Sequence, residues 1–176
     1  MKPRLILSAA ALALLLAGSQ TVRAQQQQEG FPWHEYQTRT FGEVIRQNLE
    51  EIQGRDPSYR DKVAVVLPGN SLNSQVRVTY TGATRKIPAA RKQHLDEWVK
   101  TFGLNPRIAA LFESEVLFLE CSTEHWVPVQ KQVIPHFERE LKKNDMVTLY
   151  TAFTGGRKVE GSWNWIFIVN EFQAYR

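Results

Sequence analysis

The chain has 176 residues, 43% of them hydrophobic, with 22 basic against 18 acidic side chains and a single cysteine. That length and apolar content suit one domain with a real core, and the lone cysteine excludes an intramolecular disulfide framework. Repeat and low-complexity architectures are excluded as well, since no period appears and QQQQEG, residues 25–30, is the one biased tract.

At the N-terminus MKPR supplies positive charge, LILSAAALALLLAG an apolar run, and VRA a small-x-small ending. This pattern predicts a secretory signal peptide over residues 1–24, cut after Ala24. The apolar run falls short of the roughly 20 residues a membrane-spanning helix needs, and no later stretch is long and apolar enough. The expectation is an exported chain, periplasmic or secreted, with no membrane span after signal removal. Cleavage would take Lys2, Arg4 and Arg23 and no acidic residue, leaving 19 basic against 18 acidic side chains. Such near-neutrality argues against double-stranded nucleic acid as a partner. A polar linker over 25–35 then leads into a single globular domain over 36–176.

The first element of that domain is TFGEVIRQNLEEIQG, where Phe41, Val44, Ile45, Leu49 and Ile52 recur at helical spacing. Thr40 and Glu43 are spaced as a capping box and Gly54 is placed to end the helix. KVAVVL, and QVRVTYT with Val76, Val78 and Tyr80 on one face, read as two strands of a hairpin with a long turn. A second helix is predicted from about Pro88 to about Gly103, with a stripe of Leu95, Trp98, Val99 and Phe102. SEVLFLEC reads as a central strand, apolar on both faces, with Cys121 as its buried last residue. HWVPVQ suits either an edge strand or a helix start, because Pro128 cannot donate to a ladder. A third helix opens at Pro135 and runs to about Lys143. DMVTLYTAF and WNWIFIVNEF then form a hairpin, with Gly155 and Gly156 as its turn.

Strands and helices in this order predict an α+β fold, with a mainly antiparallel sheet of about five to six strands and about three packed helices. The closing order of strand, helix, strand, strand is similar to that of an OB-like partly open barrel. A helix earlier in the chain departs from that pattern.

Candidate chemistry is sparse. Cys121, His125 and His136 fall close together in sequence, but C-x3-H and H-x10-H match no common zinc spacing. Glu120 and Glu124 would oppose a thiolate at Cys121. His34-Glu35 lacks the second histidine of HExxH, and no GxSxG elbow or phosphate loop occurs. No cofactor and no metal ligand set is therefore predicted. Trp163 and Trp165 share a strand face at two strand rises, about 7 Å, which Phe167 and Val169 continue as a core face.

The feature that stands out is TYTGATRKIPAARKQ. Arg85 and Lys86 precede the second helix, Arg91 and Lys92 occupy its first two turns, and Arg77 lies on the preceding strand. Cations there oppose the helix dipole, a placement that an anion would relieve. The expected ligand-binding residues are thus Arg77, Arg85, Lys86, Arg91 and Lys92, on a binding or interaction module with an anionic ligand or protein partner. One alternative is an exported hydrolase using His125 or His136 as general base. Another is an OB-like binder of oligosaccharide or single-stranded nucleic acid, which needs exposed aromatics beside positive charge.

Overall fold

A computed structural model describes residues 31–60, 62–68 and 72–175. The predicted signal peptide and most of the linker lie outside the described residues. The described residues from His34 onward form one compact unit, which carries the sheet and its helices. Among the described residues no helix is long and apolar enough to cross a membrane.

Helix α1 spans Phe41–Gln53, and both halves of its capping box form. The Glu43 amide donates to Thr40 Oγ1 at 2.9 Å and the Thr40 amide donates to Glu43 Oε2 at 2.8 Å. Phe41, Val44 and Ile52 are buried, while Arg46 and Glu50 pair on the exposed side. A single turn, α2 (Pro57–Arg60), follows α1, and the fold is built on a seven-stranded mixed sheet. Its strands are β1 (Gln37–Thr38), β2 (Val65–Val66), β3 (Leu72–Lys86), β4 (Phe112–Glu120), β5 (Thr123–Gln130), β6 (Met146–Val159) and β7 (Ser162–Ala174). Two longer helices complete the fold: α3 (Ala89–Thr101) between β3 and β4, and α4 (Ile134–Glu140) between β5 and β6.

The five long strands form a partly closed ring, in the order β3, β4, β5, β7, β6 and back to β3. One strand can serve both neighbours because β3 bends. Its first half pairs with β6 over Leu72–Thr79 and its second half with β4 over Thr79–Lys86, with a register shift between Tyr80 and Thr84 around the positive-φ Gly82. This is the OB-like arrangement, with α4 between the third and fourth barrel strands as the element order implied. Phe137 of α4 packs on Tyr80, Phe118 and Phe172, while Phe41 of α1 packs on His125 and Phe167. Valines 76, 78, 116, 127, 129 and 147 fill the core between them. A second apolar cluster lies outside the barrel, where Leu95 and Trp98 of α3 pack with Ala152, Ile166 and Ile168.

Several expectations are corrected. KVAVVL contributes only Val65 and Val66, and these pair with Gly156 and Arg157 of β6 rather than with β3, whose first half is already bonded to β6 and β1. HWVPVQ lies inside β5, between β4 and β7. Pro128 is tolerated because β5 meets β7 at one register pair, Val129 with Val169, and otherwise behaves as an edge. Gly155 and Gly156 lie within β6, and the hairpin turns instead at Glu160 and Gly161. The glycines are needed for close approach: a Cβ on Gly155 would sit 2.0 Å from the Val66 carbonyl oxygen, and one on Gly156 2.5 Å from the Trp165 ring. Cys121 is exposed at positive φ in the turn between β4 and β5, one residue beyond the strand that was expected to bury it.

Candidate functional site

The single β5–β7 register pair leaves a seam in the barrel wall, and α3 closes it from outside. The Arg91 guanidinium donates to the carbonyl oxygens of Trp126 on β5, at 2.6 Å, and Trp165 on β7, at 2.8 Å. It also pairs with Glu115 of β4. Glu115 is fully buried and Arg91 is 7% exposed, so neither charge could persist there unpaired. Burial pulls the Arg91 guanidinium below its ordinary value, against the opposing pull of Glu115, yet an arginine stays charged.

Glu115 serves a second cation. Arg85 lies directly opposite it across the β3–β4 ladder, and its Nε donates to Glu115 Oε2 at 2.9 Å. The Arg85 guanidinium carbon lies 4.0 Å from the centre of the Trp126 ring, a cation–π contact. Its side chain is 43% exposed, and among the described residues the two terminal amino groups have no hydrogen-bond partner. Two guanidinium groups thus share one carboxylate, and the surplus unit of positive charge faces solvent at Arg85.

The other expected ligand residues go elsewhere. Lys86 is opposite Ser114, and strand alternation turns it to the face away from Arg85. Lys92 donates to the Ala109 carbonyl and lies 3.7 Å from Asp96. Arg77 is stacked 4.5 Å from the Tyr175 ring, beside the other half of β3. Of the five residues, then, Arg85 and Arg91 converge, and Glu115 and Trp126 complete their site. Sequence reasoning missed those two, although a glutamate within SEVLFLE, apolar on both faces, signals a carboxylate that must find a cation.

The histidines do not form a site together. His125 points into the core against Phe41, its ring centre 4.8 Å away, and Glu120 lies 3.9 Å from Nε2. Burial holds its imidazole below the ordinary histidine value, Glu120 opposing and Arg91 reinforcing. Glu120 itself is engaged, accepting the Phe41 and Gly42 amides at 2.7 and 3.0 Å at the start of α1. His136 is half exposed on α4, with Arg139 and Glu140 as its partners. Among the described residues no group of three or more histidine, cysteine or acidic side chains is arranged to hold a metal ion.

Trp163 and Trp165 stack with ring centres 5.0 Å apart and planes 18° from parallel, and Lys158 lies 5.5 Å from the Trp163 ring. Both rings are partly buried, and Trp165 packs against Phe153 of the barrel core. OB-folds bind oligonucleotides and oligosaccharides on the outward face of the second and third barrel strands. Here Arg91 occupies part of that face at Glu115.

No family model, no curated protein and no solved structure matches this chain.

Proposed function

We propose that the chain is an exported, non-enzymatic binding module that takes a carboxylate- or phosphate-bearing partner at Arg85. The observation that carries this reading is the uneven charge of the Arg85–Glu115–Arg91 group. Arg85 is held at Nε by Glu115 and on its face by Trp126, so its terminal amino groups form a fixed fork of donors toward solvent. A fork whose own mobility is already restricted loses less entropy on binding a planar or tetrahedral oxyanion. Arg91 takes part indirectly, by sharing the carboxylate that would otherwise neutralise Arg85 alone.

The test is a thermal-shift and titration series with citrate, inorganic phosphate and polyphosphate at two salt concentrations. Any of these that binds the folded chain raises its melting temperature. Arg85→Ala should abolish the shift and its salt dependence, and Arg85→Lys, which keeps charge but not the fork, should restore only part of it. If Arg85→Ala leaves affinity and salt dependence unchanged, the site is wrong.

A further inference from the structure

Helix α3 is fastened to the barrel through a polar spine, Arg91, His94 and Glu97, spaced three residues apart on one face. Arg91 reaches β4, β5 and β7 through Glu115 and the two carbonyls. His94 is fully buried, with Nε2 3.0 Å from the Thr154 carbonyl oxygen of β6. Glu97 pairs with Arg157, also of β6. The Thr154 carbonyl can only accept, so His94 Nε2 carries the proton and Nδ1 holds the lone pair. That Nδ1 atom is buried and has no hydrogen-bond partner. A second proton could only go there, making an N–H with no acceptor and a cation in the field of Arg91 and Arg157.

We propose that α3 is an acid-released strap, detached from the outer wall of β6 and β7 when His94 gains its second proton. Release carries Arg91 off Glu115 but also opens the outer face of β4 to water, so Glu115 is left hydrated beside Arg85 rather than buried and unpaired. The inner core contains no residue of α3, and Phe41 still bridges His125 and Phe167 from inside. The charged neighbours of His94 are Arg91 and Glu97 on its own helix and Arg157 on β6, with Glu115 of β4 behind Arg91. Burial lowers the imidazole from its ordinary value, and Arg157 and Arg91 add to this, while the Thr154 carbonyl and Glu97 oppose it. Burial would raise the Glu97 carboxyl, but its bonds from Arg157 and Gln93 and the Arg157 charge hold it below the usual range, so Glu97 keeps its charge in mild acid. The released helix binds the extra proton more readily than the docked one. Docking is therefore intact above about pH 6.5 and weakens below it, by at most about tenfold per pH unit for one proton.

Hydrogen exchange of the intact chain at pH 7.5 and pH 5.0, corrected for intrinsic rates, tests this. Amides of residues 89–101 should lose protection at the lower pH while β3 and β4 keep theirs. His94→Gln retains a donor for the Thr154 carbonyl but cannot become charged, and should abolish the change. His125→Gln should leave it in place, although His125 also senses Arg91 from inside the barrel. In the native chain an imidazole titration of His94 by NMR should coincide with the loss of protection. Equal protection of α3 at both pH values, a transition that survives in His94→Gln, or a His94 titration without loss of protection would each overturn the proposal.

Discussion

Arg91 and Glu115 form an ion pair sealed between α3 and β4, and the same guanidinium holds two backbone carbonyls on opposite sides of the barrel seam. A single side chain thus replaces ladder hydrogen bonds that β5 and β7 do not make with each other. Cations at the start of a helix suggest an absent anion; here a buried glutamate of the chain itself supplies one.

Removing one member of this pair should be costly. Arg91→Ala leaves Glu115 with Arg85 alone and two carbonyls without a donor, and should destabilise the fold by about 3–5 kcal/mol in urea denaturation. The apolar double replacement Arg91→Met with Glu115→Leu should recover much of that loss, since no buried charge remains unpaired. A double mutant as unstable as the sum of the two single changes would show that the pair has no such coupling.

Acid stability should also depend on His125. Burial lowers its folded value, so the unfolded chain binds the proton more readily and stability rises with pH across this window. Its contribution is complete above about pH 6.5 and falls off below, by at most about 1.4 kcal/mol per pH unit. His125→Gln should reduce the slope of urea midpoint against pH between 5 and 6.5, and an unchanged slope would assign the acid sensitivity elsewhere.

The anchoring of α1 on Glu120 can be tested directly. Glu120→Gln replaces a carboxylate that accepts two amides at the helix N-terminus with a neutral amide, and should cost about 1–2 kcal/mol. The loss should appear as earlier exchange of α1 amides.

Gly156 of β6 should differ from Gly161, where nothing lies within 4 Å of an added Cβ, in what the substitution does to Trp165. Gly156→Ala must displace the Trp165 ring and should lower stability by about 1–3 kcal/mol with a change in tryptophan fluorescence. Gly161→Ala meets only the cost of its positive φ, about 1–2 kcal/mol, and should leave the fluorescence unchanged.

Cys121 is exposed in the turn between β4 and β5, so a thiol reagent should modify it fully in the folded protein. Resistance to modification until denaturant is added would place it in the core instead.

Local order was well marked in the amino-acid sequence. The Thr40–Glu43 box, the 3.6-residue stripe of α1 and the period-two alternation of Val76, Val78 and Tyr80 each depend on neighbours within one element. The order of elements also carried the OB-like closing half, because α4 between two strands is a linear feature. Pairing partners were not marked in this way. Val65 and Val66 fit β3 or β6 equally well by composition, and only the bend of β3, which commits its first half to β6 and β1, decides between them. Glycines 155 and 156 resemble a turn until β2 and Trp165 are seen to press against them. The five basic residues resembled one surface for the same reason. Whether a charge faces solvent or a buried carboxylate depends on what the opposite strand presents, and Glu115 reaches Arg91 across 24 residues of chain. Sequence alone determined the three longer helices, the strand faces and the lack of a disulfide framework. Tertiary structure decided which strands meet, that α3 straps the barrel, and that Arg85 is left to hold the surplus charge, because those outcomes depend on long-range contacts that close only when the barrel does.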